Sequence, residues 1–513
     1  MPSKFRFSLV LLSSLLAMAT AQAQLPQPVS TVSGLVQGEM TAKGITAFKG
    51  LPYAAPPVAE NRWREPQAVA PWSGIRLADR YGPRCVQRGF AVGAQQVSAS
   101  EDCLYLNVWT PAKTKADKLP VLVWIHGGGY FAGSGSEPTT EGTNLAAHGA
   151  VVVGINYRLG TFGFLALPEL TAESPHHSSG NYALLDMLAA LQWVQTNIEA
   201  FGGDAGNVTV VGESVGAQSA GVLIASPLSK GLFKRAILQS SAWMGFGVAA
   251  QATLSAREQA GAELMKKAGA DSLAALRRMG TQEVFDKIPA QANPTIDGYL
   301  LPEDATLIFA SNEQQAVDVL VGSNSNEAAF FGGGQQTLKD FQNWSMGRFT
   351  TLTPDFTTLF PVSQDADAQK QYYLAFSAEM AWHVRRLAQY QREKGNQGFV
   401  YYFSHVPPGG EARGATHVSE LAYVFNQAEQ NPKWTPADNL LSDQIARYWV
   451  NFAASGNPNG ANLPQWPAYQ ADKAASVMGL ADQASSLRQG VPERKHLEFF
   501  ERLYQRHLQQ LKR

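Results

Sequence analysis

The chain has 513 residues, 45% of them hydrophobic, and its 41 basic and 42 acidic side chains leave a formal net charge of −1. This balance argues against the basic face that a nucleic-acid-binding protein needs, so no nucleic-acid partner is expected. The sequence contains no P-loop, internal repeat or zinc-type Cys/His cluster, and it implies no cofactor and no metal.

The N-terminus has the pattern of a secretory signal peptide. Lys4 and Arg6 precede an apolar stretch over residues 9–19, and a small-x-small cleavage site ends at Ala23. We predict that residues 1–23 are removed and that the mature protein is secreted or periplasmic. The apolar stretch is too short to span a bilayer, and no membrane anchor is expected.

Two cysteines follow, Cys85 and Cys103, and they agree with export to an oxidising compartment. From the sequence alone they could be two separate buried thiols. They could equally form a bridge, which would close a loop of about 18 residues.

Residues 120–129 (Pro-Val-Leu-Val-Trp-Ile-His-Gly-Gly-Gly) predict a buried strand that ends in a glycine triplet. Acyl transfer builds negative charge on a former carbonyl oxygen, and preorganised backbone amides stabilise that charge. Glycine lets the backbone approach this oxygen closely because it has no Cβ. We therefore predict that the amides of Gly128 and Gly129 bind an oxyanion. A flexible loop without such a role is the alternative.

Residues 207–217 (Asn-Val-Thr-Val-Val-Gly-Glu-Ser-Val-Gly-Ala) predict a strand, a Gly-x-Ser-x-Gly turn and a helix. This turn exposes a serine hydroxyl above the sheet, and the glycines on either side avoid a collision between side chains. Ser214 is the predicted nucleophile, and the next amide, that of Val215, is the third predicted oxyanion donor. A strand that ends in an ordinary glycine turn is the alternative.

A serine nucleophile requires a histidine base that is oriented by a carboxylate, and with this turn the chain order is serine, acid, histidine. Residues 316–328 predict a strand followed by a polar loop that contains one acidic residue, Glu327. Glu327 is therefore the predicted acid. Asp318, within the strand, and Glu420, further along the chain, remain alternatives.

Two histidines are candidates for the base. His417 lies in a polar loop that leads into an apolar segment, and catalytic residues concentrate on such loops. His405 follows a predicted strand at residues 399–404 and is a rival on local grounds. The sequence pattern gives His417 a modest lead.

The other three histidines downstream of the serine are predicted not to be catalytic. His383 lies in an amphipathic helical pattern and is interpreted as structural. His496 and His507 lie in the charged C-terminal segment, residues 493–513, which predicts a docking helix or solvated tail with both histidines exposed to water.

The order of the predicted elements indicates an α/β fold. Apolar strands alternate with helical patterns over residues 104–242 and resume near residues 317 and 399, which predicts a mostly parallel sheet with helices on both faces. Segments around residues 250–292 and 330–395 predict helical excursions that build a wall or lid over the site.

Further motifs extend this pattern over most of the chain: Glu-Asp-Cys-Leu-Tyr-Leu-Asn at 101–107, Asn-Tyr-Arg-Leu-Gly at 156–160, Gly-Asn-Tyr-Ala-Leu-Leu-Asp at 180–186 and Phe-Gly-Gly-Asp at 201–204. With the glycine triplet and the serine turn, they resemble the type-B carboxylesterases, the cholinesterase-like branch of the α/β-hydrolases. The resemblance implies a single α/β-hydrolase domain over residues 24–513. It also implies a carboxylic ester hydrolase that acts on small-molecule esters through an acyl-serine intermediate, as a monomer or weak homo-oligomer.

By position, the resemblance implies the same triad of Ser214, Glu327 and His417. It also implies a supporting role for Glu213, which precedes the nucleophile, and a disulfide bond between the two cysteines. An amidase, carbamate hydrolase or lactonase would use the same machinery and is the alternative within enzymes. A catalytically inactive binding protein is the alternative from another class.

The resemblance implies structural roles for two ion pairs, Arg62 with Glu101 and Arg158 with Asp186. It also bears on specificity, because cholinesterases carry in their disulfide loop a tryptophan that faces a quaternary ammonium. Residues 86–102 contain Phe90 and neither tryptophan nor tyrosine, so choline esters are not expected as preferred substrates.

The chain departs from the family pattern at a few positions near the predicted site. Val215 stands where alanine is usual, and Ala328 follows the acid where glycine is usual. These changes indicate a reshaped pocket. Residues 242–246 (Ala-Trp-Met-Gly-Phe) are expected to line the acyl side of that pocket, although as plain sequence they could equally be core.

Overall fold

The computed structural model describes residues 25–87, 98–247, 251–289, 291–427, 431–471, 476–481, 486–488 and 492–513. The predicted signal peptide, residues 1–23, and Phe90 lie outside these ranges.

Short and long strands occur along the whole of the described chain. In chain order they are β1 (Val29–Thr31), β2 (Gly34–Gln37), β3 (Glu39–Met40), β4 (Thr46–Pro52), β5 (Ile75–Leu77), β6 (Arg84–Cys85), β7 (Ala99–Ser100), β8 (Tyr105–Thr110), β9 (Leu119–Ile125), β10 (Val151–Ile155), β11 (Gly203–Glu213), β12 (Arg235–Gln239), β13 (Ala252–Thr253), β14 (Thr295–Ile296), β15 (Asp318–Asn324), β16 (Gly398–Phe403), β17 (Val477–Leu480) and β18 (Ser486–Arg488).

Helices connect and cover these strands. In chain order they are α1 (Thr143–Ala146), α2 (Gly160–Phe164), α3 (Pro168–Glu173), α4 (Tyr182–Asn197), α5 (Val215–Ala225), α6 (Leu254–Lys267), α7 (Leu273–Arg278), α8 (Thr281–Lys287), α9 (Ala305–Ala310), α10 (Leu338–Phe349), α11 (Thr353–Leu359), α12 (Asp365–Glu393), α13 (Leu421–Val424), α14 (Pro436–Ser455) and α15 (Arg494–Leu511).

One large twisted sheet organises the molecule. Its strand order is β18-β17-β16-β15-β12-β11-β9-β10-β8-β4-β3. The strands from β17 to β10 run parallel to one another, whereas β18, β8, β4 and β3 pair antiparallel at the two edges. The prediction of a mostly parallel sheet in an α/β fold is therefore confirmed.

The central strands are apolar because both of their faces are covered. In β9, Val121, Val123 and Ile125 belong to one apolar cluster, and Leu122 and Trp124 belong to the cluster on the opposite face. This alternation is the two-residue period of a strand, and it sends side chains into two separate layers of helices. Helices α4, α5 and α12 cover the first face, and α13 and α14 cover the second.

The two predicted helical excursions are present. The chain leaves the large sheet after β12, and helices α6 to α8 follow β13, which pairs only with β14. Helices α10 to α12 leave the large sheet after β15. Across the described ranges, no helix combines the length and the apolar character that a bilayer crossing requires.

The C-terminal segment forms the predicted helix, α15, but its two histidines are not both exposed to water as predicted. His507 is only partly exposed, and the prediction is wrong for His496. That side chain is buried, and its ring stacks on Phe360 at 4.6 Å between centroids. The charged residues of α15 occupy one face only. The other face carries Phe499, Phe500 and Tyr504 into the core, and His496 lies on that buried side.

Candidate active site

Ser214 stands at the sharp turn between β11 and α5. Its backbone has φ 57° and ψ −125°, a conformation that a residue with a side chain adopts only under strain. The neighbouring strand holds this turn, because the Ser214 amide donates to the carbonyl of Gln239 at 3.0 Å. The serine side chain is partly exposed, whereas most of α5 behind it is buried.

The two glycines of the turn are required by close backbone packing. A Cβ on Gly212 would lie 2.4 Å from the carbonyl of Gly216. A Cβ on Gly216 would lie 2.1 Å from the carbonyl oxygen of Ile125, at the end of β9. Strand, turn and helix therefore approach more closely than any side chain allows.

The structure brings His417 and Glu327 together. His417 Nδ1 donates to Glu327 Oε2 at 2.7 Å, and both side chains are buried. The other carboxylate oxygen of Glu327 accepts from the backbone amide of Asn324 at 2.6 Å, and the Glu327 amide donates to Ser377 Oγ on α12 at 3.1 Å. These bonds fix the carboxylate and, through it, the orientation of the imidazole.

The second ring nitrogen of His417 faces the serine turn. Nε2 lies 3.1 Å from Oε1 of Glu213, the residue that precedes Ser214. Burial alone would lower the pKa of His417, but the carboxylates of Glu213 and Glu327 outweigh it and raise this pKa to about 9. Burial raises the pKa of Glu213 to about 8. Because each charge affects the other group, His417 and Glu213 titrate as a pair.

The glycine triplet lies directly against the serine turn. A Cβ on Gly127 would lie 2.5 Å from Glu213 Oε2 and 3.0 Å from the Cβ of Ser214. Gly128 and Gly129 have φ values of 102° and 66°, which are accessible to glycine without strain. Within the described residues, the amides of Gly128 and Gly129 donate to no acceptor.

The third predicted donor is the amide of Val215, at the start of α5. Val215 is the first residue of this helix, and the first amides of an α-helix have no acceptor within the helix. They also carry the positive end of the helix dipole. The amide of Val215 follows Ser214 directly in the chain, and the glycine triplet contacts Ser214 through Gly127.

Aromatic and hydroxyl groups hold the triplet in place. The ring of His126 stacks on Tyr157 at 4.2 Å, and the Tyr157 hydroxyl donates to the carbonyl of His126 at 2.7 Å. Burial lowers the pKa of His126 to about 4, so this ring stays neutral and structural. Tyr130 bonds through its hydroxyl to Ser219 of α5 at 2.9 Å.

The two alternative acids lie elsewhere or have other partners. Asp318 begins β15, at the end of the strand opposite Glu327, and it accepts from the amide of Gln397 at 2.9 Å. Glu420 is buried near the site and accepts from Asn324 Nδ2 at 2.5 Å and from Gln239 Nε2 at 3.0 Å. Among the described contacts, neither carboxylate bonds to His417.

The rival base, His405, also has a different partner. Its Nε2 lies 2.7 Å from Asp438 Oδ1, and this carboxylate additionally accepts from Thr435 and Tyr423. Thr435 caps α14, so the His405 network fastens a helix end. His383 lies on α12, as its helical pattern predicted.

Sequence reasoning missed the role of Glu420 as a link between site loops. Its bonds reach Asn324, which also supports Glu327, and Gln239, whose carbonyl holds the Ser214 amide. The partners come from chain segments about one hundred residues or more apart, so no local pattern indicates these contacts.

The structure contains a disulfide bond between Cys85 and Cys103. Gln87, in the loop that it closes, accepts from the amide of Gly133 and donates to the carbonyl of the same residue, both at 2.9 Å. The disulfide loop is therefore tied to the segment that follows the glycine triplet.

Both predicted ion pairs are present and buried. Arg62 donates to Glu101 at 2.6 and 2.7 Å, and Arg158 donates to Asp186 at 2.7 and 2.8 Å. Each pair is bidentate and joins distant loops to the core, in agreement with a structural role. The described part of the chain holds no group of three or more His, Cys, Asp or Glu side chains arranged to bind a metal ion.

Comparison with known proteins identifies the family of this chain. The model of the carboxylesterase family matches residues 23–500. The chain is 36% identical to the fumonisin B1 esterase of Sphingopyxis macrogoltabida over 89% of this chain and 86% of that protein. It is 34% identical to the para-nitrobenzyl esterase of Bacillus subtilis (strain 168) over 86% of this chain and 92% of that protein.

Solved structures give the same result. A para-nitrobenzyl esterase structure superposes with a TM-score of 0.81 at 29% identity, over 93% of this chain and 99% of that chain. The carboxylesterase EST55 of Geobacillus stearothermophilus gives a TM-score of 0.76 at 30% identity, over 90% and 97%. The chain thus belongs to the carboxylesterase family and has the α/β-hydrolase fold. It is a serine hydrolase that cleaves carboxylic esters.

Proposed function

We propose that Ser214 is the nucleophile, His417 the general base and Glu327 the acid that orients the base. The contact between Glu327 and His417 Nδ1, at 2.7 Å, is the observation that carries this proposal. It places a proton on Nδ1 and leaves Nε2, on the side of the serine turn, free to accept the hydroxyl proton.

The oxyanion would be bound by the amides of Gly128, Gly129 and Val215. Their support is that the amides of the two glycines lack an acceptor within the described residues, while Gly127 packs against the Cβ of Ser214. Donors that are in place before the reaction need no rearrangement when charge develops.

Glu213 is proposed to support the base. Its Oε1 lies 3.1 Å from His417 Nε2, so its charge would favour the imidazolium that forms when the serine loses its proton. Its burial and its contact with Gly127 also hold the oxyanion loop against the turn.

The reaction follows from these positions. Ser214 Oγ attacks the ester carbonyl as His417 takes its proton, and the three amides stabilise the tetrahedral oxyanion. His417 then protonates the leaving alcohol, and the acyl group remains on the serine. Water, activated by the same histidine, attacks the acyl-enzyme and releases the acid.

We further propose that the mature protein is a single domain from residue 24, exported after removal of residues 1–23. A buried disulfide bond supports this, since such bonds persist in oxidising compartments. N-terminal sequencing of the protein recovered from the periplasm or medium of a bacterial host tests it, and Gln24 is the expected first residue. Light scattering of the purified protein tests the proposed monomer or weak homo-oligomer.

Stopped-flow hydrolysis of p-nitrophenyl esters tests the triad. The wild type should release a burst of nitrophenol, and Ser214→Ala should release none. Mass spectrometry after treatment with a fluorophosphonate should find the label on Ser214. Ser311→Ala, at an exposed serine, is the control and should keep both burst and label. A label on another serine, or a burst in Ser214→Ala, would refute the assignment.

A further inference from the structure

A second cluster of ionisable side chains lies between α10 and α12 and has no role in the mechanism above. Glu379 and His383 are one turn apart on α12, and Arg348 reaches them from α10. Arg348 Nη2 donates to Glu379 Oε1 at 2.5 Å, and His383 Nε2 lies 3.9 Å from the same oxygen. Glu379 and His383 are only 3% and 4% exposed, so the cluster is internal.

On one side, the cluster contacts the segment that follows β12, the strand next to β11 and the serine turn. Gln239, which holds the Ser214 amide, ends β12, and the chain continues to Phe246 and Gly247. The rings of Phe246 and His383 are 6.1 Å apart, and a Cβ on Gly247 would lie 2.4 Å from His383 Nε2. Residues 242–246 are the segment expected from the sequence to line the acyl side.

On the other side, two aromatic rings lead from the cluster to the base. Phe376, three residues before Glu379 on α12, lies 6.0 Å from Phe331 between ring centroids. Phe331 lies 5.1 Å from the ring of His417 and is 59% exposed. The cluster is thus flanked by two segments, each of which reaches a residue of the proposed triad.

Two side-chain nitrogens of the cluster are buried and unpartnered. Within the described residues, neither Arg348 Nε nor His383 Nδ1 has a hydrogen-bond partner. Burial alone would raise the pKa of Glu379, but Arg348 and His383 outweigh it and hold this pKa below its ordinary value. Glu379 is therefore ionised and neutralises the guanidinium of Arg348. Buried polar atoms that remain unpaired are costly, and they mark positions where a polar group of a ligand can bind.

We propose that Arg348 and His383 bind a free carboxylate on the acyl part of the ester, so that the substrates include monoesters of dicarboxylic or polycarboxylic acids. Arg348 would give the carboxylate a charge-assisted hydrogen bond, which is stronger and more directional than a neutral one. Glu379 is a positioning residue, because it holds the guanidinium in place. The proposal rests on the proposed function of Ser214.

The competing explanation is an ion pair that only fastens α10 to α12. It predicts that loss of Arg348 harms all substrates alike. A carboxylate-binding site predicts instead that kcat/KM decreases only for substrates that have a free carboxylate. A pair of esters that differ in this group alone separates the two explanations.

The test uses mono-p-nitrophenyl glutarate and p-nitrophenyl valerate, which have equal acyl length and the same leaving group. Arg348→Met keeps the length of the side chain and removes its charge. We expect kcat/KM for the glutarate ester to fall by about tenfold to a hundredfold, which is the range for losing one charge-assisted contact. The valerate ester should change by less than about twofold, within the scatter of a neutral substitution. Arg348→Lys should restore part of the difference.

Controls keep the result interpretable. Arg386→Met removes an arginine of α12 that lies 4.2 Å over the Tyr390 ring, and it should leave the ratio of the two esters unchanged. Because Arg348→Met leaves the buried Glu379 without its arginine partner, the double variant Arg348→Met/Glu379→Gln removes both charges. It should hydrolyse the valerate ester normally and the glutarate ester slowly. Glutarate itself should inhibit the wild type, with acetyl ester as substrate, more strongly than it inhibits Arg348→Met.

Two outcomes overturn the proposal: an equal loss for both esters in the single and double variants, or an unchanged ratio in Arg348→Met. A wild type that hydrolyses neither ester and takes no label at Ser214 would instead contradict the proposed triad. Normal valerate hydrolysis with a glutarate rate that does not depend on Arg348 contradicts the carboxylate site alone.

Discussion

His417 Nε2 lies 3.1 Å from Glu213 Oε1, yet neither atom has a hydrogen-bond partner within the described residues. The geometry is unsuitable for a direct bond, so Nε2 remains available to a third group. In the proposed mechanism that group is the Ser214 hydroxyl. Glu213 would then act through its charge, at close range and away from water, where charges interact strongly.

Glu213→Gln tests this electrostatic role. The charge of Glu213 raises the pKa of His417, and the base works only when it is deprotonated. Activity is therefore lost as the pH falls through this pKa. In the variant the pKa falls, so the acidic limb of the kcat/KM profile should move down by about one pH unit, and the plateau rate should drop about tenfold.

The measurement is a full pH profile with a neutral ester. Glu199→Gln, at an exposed position, is the control and should reproduce the wild-type limb. An unshifted limb in Glu213→Gln, together with a lower melting temperature, would make Glu213 a packing residue and nothing more.

Substitution of the three candidate acids separates their roles. Glu327→Gln removes the charge beside Nδ1 and disturbs the choice of tautomer, so kcat should fall by about a thousandfold to ten-thousandfold. Asp318→Asn, at the far end of β15, should leave kcat within about twofold. Glu420→Gln breaks one of the two hydrogen bonds that this carboxylate accepts. Its loss of kcat should therefore lie between the losses of the other two variants. Steady-state kinetics on all three variants measures these losses. A larger loss of kcat in Glu420→Gln than in Glu327→Gln would indicate that Glu420, and not Glu327, is the acid.

The parts of the site that the sequence predicts well are those built from adjacent residues. The turn at Ser214 and the triplet before Tyr130 are local structures, because the same few residues form the strand end, the loop and the helix start. Glycine is required at position 216 because a Cβ there would collide with the backbone of Ile125, and the Gly-x-Ser-x-Gly pattern already predicts this close packing.

The sequence does not decide between candidates that are far apart in the chain, and the reason is physical. His405 and His417 both lie in loops near strand ends, and only the tertiary packing gives one of them Asp438 and the other Glu327. The same limit applies to Glu420, whose partners lie on other strands.

The prediction that His496 is exposed was wrong, although the local sequence contains a pattern that indicates burial. Positions 496, 500 and 504 are four residues apart and share a face of α15, so Phe500 and Tyr504 indicate that the histidine is buried with them. The abundance of charge in this segment describes the opposite face of the helix.

Gly127→Ala tests the contact between the triplet and the nucleophile. The new methyl group would lie 2.5 Å from Glu213 Oε2 and 3.0 Å from the Ser214 Cβ, so the loop must shift and carry its donor amides away. Loss of one such donor lowers kcat by about a hundred- to a thousandfold. Gly280→Ala, where the added Cβ meets nothing within 4 Å, is the matched control and should retain full activity. Wild-type kcat in Gly127→Ala would show that the loop tolerates displacement and would count against these amides as donors.

Cys85→Ser/Cys103→Ser tests how the disulfide loop contributes to stability and to the site. Removing a cross-link that closes an 18-residue separation should lower the free energy of unfolding by about 3 kcal/mol, because the unfolded chain gains freedom. Urea unfolding of the variant, and of the wild type with and without reductant, measures this.

Activity should fall as well, since Gln87 couples this loop to Gly133 beyond the glycine triplet. Gln87→Ala separates the two effects: it should reduce kcat while the disulfide keeps the unfolding free energy near that of the wild type. If Gln87→Ala is fully active and the double serine variant is not, the loop reaches the site by another contact, and the coupling through Gly133 is wrong.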